Sequence, residues 1–444
     1  MYIVHCIDTE GPLFESLTAK FDRLAEVLGI TGIAVSQENL RRLQNREIDL
    51  NGMEVAAAEL LSSGRSSTLG TWGQVDSMLD RVTSPKFRSD MVDSLGNGWV
   101  YNWFCMDHVG FEVNPRRRDM GYHNILDHYQ RRITDGIGGP DEIHWHFHPV
   151  STYREAHRCA THYLRTDEVF QVLARRIIER HWFPCAYRAG FQAERPDSHW
   201  LLEQYVPFDF TNMALDDPSE FEKAIDFRNG RSGDWRRAPA DWSAYHPSHD
   251  DYQRPGACRR WILRCLNITS RVASIDQKEV DKAFARATAG EPTIIGVCSH
   301  DFRDLEPEVK HVRNLIQEVA ACYKDTPFYF SGAIEAVRAA LPLPQMQPLE
   351  LSITMNQAKG DVPSIDVKAI RGQVFGPQPF LAIKIRGNRF IHDNLDFGTH
   401  PGNWSYAFHV DTLPLEDVEA VGVGAADATG NTAVAILRPD GTTF

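Results

Sequence analysis

Three histidines occupy alternate positions in the stretch EIHWHFHPV, which spans residues 142–150. Imidazole is the commonest metal ligand among protein side chains. His144 and His148 are four positions apart, so they lie on one side of either a strand or a helical turn. We therefore predict that these two residues bind a metal ion. If the segment stays extended, His146 shares their face and is a rival ligand.

Two carboxylates follow the first apolar segment of the chain, in the stretch CIDTEGP. Asp8 and Glu10 are two positions apart and face the same way on an extended strand. Carboxylates at the mouth of a buried strand repel each other, and a metal ion or an arginine can compensate them. One carboxylate with two imidazoles is a common catalytic metal set that leaves positions open for water and substrate. The alternative is a solvated turn that ends the strand.

These residues follow short apolar segments that alternate with helical patterns over the first 340 residues. The apolar segments are residues 2–8, 98–107, 142–148, 184–190, 208–213, 293–300 and 327–332. Such alternation predicts an α/β fold, a parallel sheet or barrel with helices outside. In such folds ligands bind at the carboxyl ends of the strands. The candidate residues at these ends are Asp8, Glu10, Asp107, His144, His148, Arg188 and His300.

The pattern changes after the proline-rich segment LPLPQMQP at residues 341–348, which is typical of a linker. Residues 349–444 contain short strand-like segments separated by turn signals. Their spacing predicts a small all-β, Ig-like sandwich domain that follows a barrel of residues 1–340. Residues 230–256 are polar and aromatic without a period, which predicts a functional loop.

Composition and charge exclude some classes of protein. The net charge of −13 argues against a general nucleic-acid binder, which usually has a basic face. No apolar segment approaches the roughly 18–20 residues needed to span a membrane. The start MYIVHCIDTEGP lacks the features of a signal peptide, so we predict a cytoplasmic protein. The eight cysteines include no CxxC pair, and we expect buried, reduced thiols.

Four motifs in order resemble those of the polysaccharide deacetylase family, carbohydrate esterase family 4. They are DTEGP at residues 8–12, HxxxHP at 144–149, YRAGF at 187–191 and the strand-like IIGVCSHDF at 294–302. The resemblance implies a deformed (β/α) barrel that hydrolyses an N-acetyl or O-acetyl group on a sugar. It also implies a divalent metal ion, most simply Zn²⁺, held by Glu10, His144 and His148.

The resemblance implies further roles at the site. Asp8 would be the base that takes a proton from water, and Arg188 would orient it and keep it ionised. His300 would protonate the departing amine or alcohol. The backbone N–H of Phe191 would help hold the oxyanion, and Asp107 would contact substrate. The reverse assignment of the two acids, with Asp8 as the ligand, is the alternative.

The sequence departs from the family pattern at several positions. Thr9 separates the two acids, Trp145 replaces serine or threonine, and Gly190 stands where proline is common. The Asp–Trp motif that buttresses the site could be Asp234–Trp235 or Asp241–Trp242. An inactive carbohydrate-binding barrel and a non-haem iron enzyme are therefore the rival functions. By analogy, the substrate would belong to the synthesis of a surface polysaccharide.

Overall fold

The computed structural model describes residues 1–62, 68–137, 139–165, 167–269, 272–357 and 362–442. Within these ranges, seven parallel strands close into a barrel. They are β1 (Tyr2–Thr9), β2 (Tyr101–Asp107), β3 (Glu142–Phe147), β4 (Ala186–Ala189), β5 (Phe208–Asn212), β6 (Trp261–Asn267) and β7 (Ile294–His300). Strand β1 closes the barrel because it pairs with both β2 and β7. A short strand β8 (Tyr329–Phe330) adds to the start of β1.

Helices surround this barrel. They are α1 (Leu17–Leu28), α2 (Gln37–Gln44), α3 (Glu54–Leu60), α4 (Trp72–Val82), α5 (Pro85–Ser89), α6 (Asn124–Arg132), α7 (Glu168–Arg180), α8 (Pro196–Tyr205), α9 (Ser219–Lys223), α10 (Ile225–Arg228), α11 (Gln277–Thr288), α12 (Leu305–Ala320) and α13 (Ala333–Ala340). In the described ranges, none is both long and apolar enough to cross a membrane. The prediction of a barrel with outer helices is confirmed at this level.

Side chains alternate between the two faces of each barrel strand, as in any strand. Val4, Cys6 and Phe104 point into the barrel and pack in its interior core. Ile3 and Trp103 point outward and pack in the core beneath the helices. Residues of even number in β1, β2 and β3 therefore face the interior. No disulfide links the eight cysteines, all of which lie in the described ranges. Four of them are buried as expected, three are partly buried and Cys322 is exposed.

Strand β6 is an element that the sequence analysis did not predict. Arg264 interrupts its apolar stretch WILRCLN. The guanidinium faces outward, is buried, and forms an ion pair with Glu279 of α11. It also donates to the carbonyl of Ala214 and lies over the ring of Trp242. A charge inside a buried strand is thus compensated by residues distant in sequence.

The C-terminal region forms two four-stranded antiparallel sheets, as the all-β prediction required. The first contains β9 (Glu350–Asn356), β10 (Ser364–Arg371), β13 (Asp396–Phe397) and β14 (Asn403–Ala407). The second contains β11 (Phe380–Ile385), β12 (Arg389–Asp393), β15 (Val418–Ala426) and β16 (Thr432–Leu437). Inward side chains of both sheets share one hydrophobic core.

The second sheet also packs against helix α7 of the barrel. A Cβ added at Gly422 of β15 would lie 2.7 Å from Ile177 of α7, and one at Gly424 would lie 2.6 Å from Phe183. The two glycines therefore allow the sheet to approach the helix closely. Residues of α7 and of the second sheet belong to one hydrophobic cluster.

Candidate metal centre

The candidate site lies at the carboxyl end of the barrel, around a cavity of about 270 Å³. The structure brings most of the predicted site residues to this cavity, together with the rival ligand His146. The relevant lining residues are Asp8, Glu10, His146, His148, Phe191 and His300. Strands β1, β3 and β7 position five of them, either directly or through the first residues after the strand, and Phe191 follows β4.

Glu10, His146 and His148 place one potential ligand atom each around a common point. The Nε2 atoms of the two histidines lie 2.9 Å apart. Glu10 Oε1 lies 3.8 Å from His146 Nε2 and 3.5 Å from His148 Nε2. Tetrahedral bonds of roughly 2.0–2.2 Å from zinc to nitrogen and oxygen place ligand atoms roughly 3.4 Å apart. Glu10, His146 and His148 therefore have the spacing of a divalent-metal site, and we call them the metal trio.

Both histidines of the metal trio are held as neutral imidazoles, the form that binds metals. Burial lowers the pKa of His146 to about 3, and burial together with the charge of Arg118 lowers the pKa of His148 to about 3. His146 Nδ1 lies 3.0 Å from the carbonyl oxygen of Arg188, so Nδ1 carries the hydrogen and donates it. The lone pair of His146 Nε2 is then left for a metal ion.

Glu10 is fixed by the turn that follows β1. The backbone N–H groups of Glu10 and Gly11 donate to the two carboxylate oxygens of Asp301, at 2.8 and 3.0 Å. Tyr129 donates its hydroxyl to the same carboxylate at 2.9 Å. Gly11 has a φ of 70°, a left-handed conformation that glycine adopts readily. Glu10 Oε2 forms an ion pair with Arg118, so Oε1 is the oxygen that faces the histidines.

Asp8 and Arg188 form a two-point ion pair inside the barrel. Arg188 Nε donates to Asp8 Oδ1 at 2.7 Å, and Nη2 donates to Oδ2 at 3.2 Å. Arg188 also donates to the carbonyl of Phe210. Burial is the largest single influence and would raise the pKa of Asp8. The charge and hydrogen bonds of Arg188, with smaller contributions from His146 and His300, together lower the pKa below its ordinary value. Asp8 is therefore ionised, and Arg188 sets its orientation.

His300 completes the group at the end of β7. Its Nε2 lies 3.9 Å from Asp8 Oδ2 and 3.9 Å from Glu10 Oε1. Arg303 lies on the other side of the ring, with a guanidinium nitrogen 3.2 Å from His300 Nδ1. Burial and the charge of Arg303 lower the pKa of His300 below its ordinary value. The imidazole is therefore neutral in the free protein at neutral pH.

His144 lies outside the metal trio, which corrects the sequence prediction. Its ring is buried, and its Nε2 lies 3.0 Å from Glu142 Oε2. His144 and His146 share the interior face of β3, but each residue of a strand advances roughly 3.3 Å. His144 is therefore one layer deeper in the barrel. Strand β3 ends at Phe147, so His146 and His148 are the residues that reach the cavity.

Asp107 also lies outside the cavity, although it ends strand β2. Its position in the pleat turns it outward, toward helix α7, where Arg176 donates to its Oδ2 at 3.2 and 2.9 Å. Neither side chain is exposed to solvent beyond 1%. Burial raises the pKa of Asp107 to about 7. The structure thus places Asp107 in the packing between β2 and α7, outside the lining of the cavity.

Phe191 and Gly190 form the wall beside His148. Phe191 has a left-handed backbone with a φ of 55°, and its ring centroid lies 4.7 Å from that of His148. A Cβ added at Gly190 would lie 2.6 Å from the His148 ring. Glycine at this position therefore leaves room for the imidazole. The role of the Phe191 N–H in holding an oxyanion stays a prediction.

The long polar loop predicted at residues 230–256 lies before β6 and contributes to the site in two ways. Arg231 lines the cavity. Trp235 is fully buried and donates its indole N–H to the carbonyl of Gln192 at 2.9 Å, which supports the wall next to Phe191. Trp242 donates instead to a carbonyl of α11. Of the two Asp–Trp pairs considered from the sequence, the one at residues 234–235 is the pair beside the site.

Two residues that hold Glu10 in place were not singled out from the sequence. Asp301 directly follows His300 in the stretch SHDF, and this adjacency was a usable signal. Arg118 belongs to the run PRRRD in the loop between β2 and α6. Arg118 is far from Glu10 in the sequence, so no local pattern predicts that the two residues form an ion pair.

Comparisons with protein-family models, with curated proteins and with solved structures found no match to this chain. The site is therefore characterised by its own geometry. It consists of a buried group of one carboxylate and two imidazoles that could hold a metal ion at the end of a parallel barrel. An ionised aspartate and a further histidine lie beside this group.

Proposed function

We propose that this protein is a metal-dependent hydrolase that removes an acetyl or related acyl group from a nitrogen or oxygen of a sugar. One observation carries this proposal: Asp8 and His300 each lie within 4 Å of the metal trio. A positioned carboxylate, a positioned histidine and an open metal set are the parts that acyl hydrolysis needs. The resemblance of four motifs to the polysaccharide deacetylase family supports the same reaction.

Glu10, His146 and His148 would hold the metal ion. We propose Zn²⁺, because a carboxylate and two imidazoles at this spacing suit it. The chemistry that a bound divalent ion supplies is a polarised acyl oxygen and a water of lowered pKa. Arg118 occupies the far oxygen of Glu10, so this carboxylate offers the ion a single oxygen.

Asp8 is the proposed base, which accepts a proton from the attacking water. Arg188 holds its two oxygens in place and keeps it ionised. His300 is the proposed donor to the departing nitrogen or oxygen. Because the pKa of His300 is low in the free protein, the proton it delivers is the one that Asp8 removes from water. Asp8 Oδ2 and His300 Nε2 are 3.9 Å apart, which makes this transfer short. The backbone N–H of Phe191 is the proposed oxyanion donor.

The test measures metal content and acetate release on the same preparations. Wild-type protein should retain stoichiometric Zn²⁺ after dialysis and release acetate from at least one acetylated sugar, sugar phosphate or lipid-linked sugar. His148→Ala and His146→Ala should lose both properties. His144→Gln is the matched control on the same strand and should keep the metal, because His144 binds Glu142 instead.

Each rival function gives a different result in this test. Wild-type protein that binds no Zn²⁺ and releases no acetate would contradict the proposal. Retention of iron with consumption of oxygen would favour a non-haem iron enzyme, since such enzymes also use two histidines and one carboxylate. Sugar binding without metal or acetate release would favour an inactive carbohydrate-binding barrel.

A further inference from the structure

Two carboxylates and two guanidinium groups line the cavity, and a further guanidinium lies behind one of the carboxylates. Asp8 and Glu10 are its two carboxylates, and each already has a guanidinium partner. The partner of Asp8 is Arg188, and the partner of Glu10 is Arg118. Arg231 lines the same cavity and adds a third guanidinium. The whole chain has a net charge of −13, so a guanidinium in excess of the carboxylates here is a local feature.

Arg231 has no acidic partner in the part of the chain that the structure describes. None of the ion pairs and hydrogen bonds between described residues involves its guanidinium, although the side chain is partly buried. A partly buried cation loses part of its hydration, and no acidic side chain of the described residues compensates Arg231 for that loss. A bound anion would supply the missing charge and hydrogen-bond acceptors.

The side chains near Arg231 increase the positive charge. Glu15 forms ion pairs with Arg23 at 2.9 Å and with Lys20 and Arg116 at 3.6 Å each. One carboxylate therefore serves three cations. Arg231 is also close enough to Arg116 for the two guanidinium groups to repel each other. Glu26 is a second carboxylate near Arg116, but it already pairs with Arg158 at 3.4 Å. The local excess is larger than one charge, which favours a phosphoryl group over a single carboxylate.

We infer that the cavity binds a phosphorylated sugar, with its phosphoryl oxygens on Arg231 and its acyl group toward the metal trio. The planar guanidinium offers two parallel N–H donors that match two phosphoryl oxygens. Ser232, the next residue, also lines the cavity and offers a hydroxyl. The placement of the acyl group rests on the proposed function, whereas the phosphoryl site rests on Arg231 alone.

The test compares glucose 1-phosphate with glucose by isothermal titration calorimetry on the full-length protein. Neither sugar carries an acyl group, so neither is consumed and the result does not depend on hydrolysis. Glucose 1-phosphate should bind about 10- to 100-fold more tightly, the range expected of hydrogen bonds to a charged group. Arg231→Met should remove this preference. Arg231→Lys should keep part of it, because lysine retains the charge but not the planar donors.

Arg237→Met is the matched control for these variants. Arg237 belongs to the same loop, has a half-exposed side chain and pairs with Asp251 at 2.9 Å, so its loss should leave the preference unchanged. Equal binding of the two sugars by the wild type, or an unchanged preference in Arg231→Met, would overturn the inference. Glucuronate that binds as tightly as glucose 1-phosphate would overturn it in favour of a carboxylate. An intact preference without Zn²⁺ binding or acetate release would contradict the proposed hydrolase and leave this inference standing.

Discussion

Asp8 and Asp107 are buried aspartates on neighbouring barrel strands, and an arginine contacts each of them. Arg188 donates to both oxygens of Asp8, at 2.7 and 3.2 Å. Arg176 places both of its hydrogen bonds on one oxygen of Asp107. The pKa of Asp8 is lowered despite burial, whereas burial raises the pKa of Asp107 to about 7. One carboxylate is thus ionised at neutral pH, and the other is close to half protonated.

The pleat of the strands explains why two similar residues differ. Asp8 faces the barrel interior, where His146 and His300 lie near it. Asp107 faces helix α7 and contacts no residue of the metal trio. An aspartate at the carboxyl end of a barrel strand can therefore serve catalysis or packing. The outcome depends on whether its side chain faces the barrel interior or the surrounding helices.

The largest effect should come from Asp8→Asn. We expect acetate release to fall about 10²–10⁴-fold, the usual contribution of a general acid or base. Zn²⁺ content should be unchanged, because Asp8 is not a proposed ligand. Asp107→Asn is the matched variant on the outer face and should change the rate little. Initial rates and metal analysis of both variants test this contrast.

Two outcomes of this experiment would contradict the roles assigned to Asp8 and Asp107. If Asp8→Asn loses Zn²⁺ and Glu10→Gln keeps it, the two carboxylates have exchanged roles. If Asp107→Asn slows hydrolysis as much as Asp8→Asn does, the distinction between the inner and outer faces fails.

A smaller effect should appear in the pH dependence of stability. The folded pKa of Asp107, about 7, lies above the ordinary value of 3.8, so the folded state binds the proton more readily between pH 4 and pH 7. The free energy of unfolding of the wild type, relative to Asp107→Asn, should therefore rise as the pH falls through this window. The difference between the two pKa values corresponds to about 4 kcal/mol at most. Urea unfolding of both proteins at several pH values measures it.

A difference in stability that stays constant from pH 7 to pH 4 would mean that Asp107 remains ionised beside Arg176. Asp8 and Asp107 would then both be ionised at neutral pH. They would differ only in the face of the barrel strand on which each lies.

The smallest effect should come from Gly190→Ala on the inner face. The added Cβ would lie 2.6 Å from the His148 ring and should displace it. Changes to the residues that support metal ligands weaken metal affinity or activity about 10- to 100-fold. Gly73→Ala in helix α4 is the control, because nothing lies within 4 Å of its added Cβ. Competition for Zn²⁺ with a coloured chelator measures both affinities, and unchanged affinity in Gly190→Ala would show that the ring has room to move.

Local hydrophobic patterns were sufficient to predict most of the fold. Strands buried on both faces leave continuous apolar segments, and β1, β2, β3 and β7 were predicted in this way. Strand β6 was missed because Arg264 interrupts its apolar stretch. The charge of Arg264 is compensated by Glu279, which belongs to a later helix. A pairing of that kind depends on the folded arrangement and leaves no local pattern.

The placement of Asp8, Glu10 and His300 at the cavity was predictable, because each lies at the end of an apolar segment or within two residues of it. The choice between His144 and His146 required the depth of each residue in the barrel, which is set by the pairing of β3 with its neighbours. Arg118 reaches Glu10 from a distant loop, so spacing along the chain could not reveal it.

Helix α7 packs against the barrel strands on one side and against the second sheet on the other, within one hydrophobic cluster. Arg176 binds Asp107 on the barrel side, while Ile177 lies against the sheet where Gly422 leaves room for it. Separation of α7 from either the barrel or the second sheet would expose its apolar side chains to water. We therefore expect the barrel and the C-terminal domain to unfold cooperatively. The segment at residues 341–348 links the two domains covalently, and packing of the second sheet on α7 couples their stabilities. Removal of the C-terminal domain at that segment should therefore lower the free energy of unfolding of the barrel.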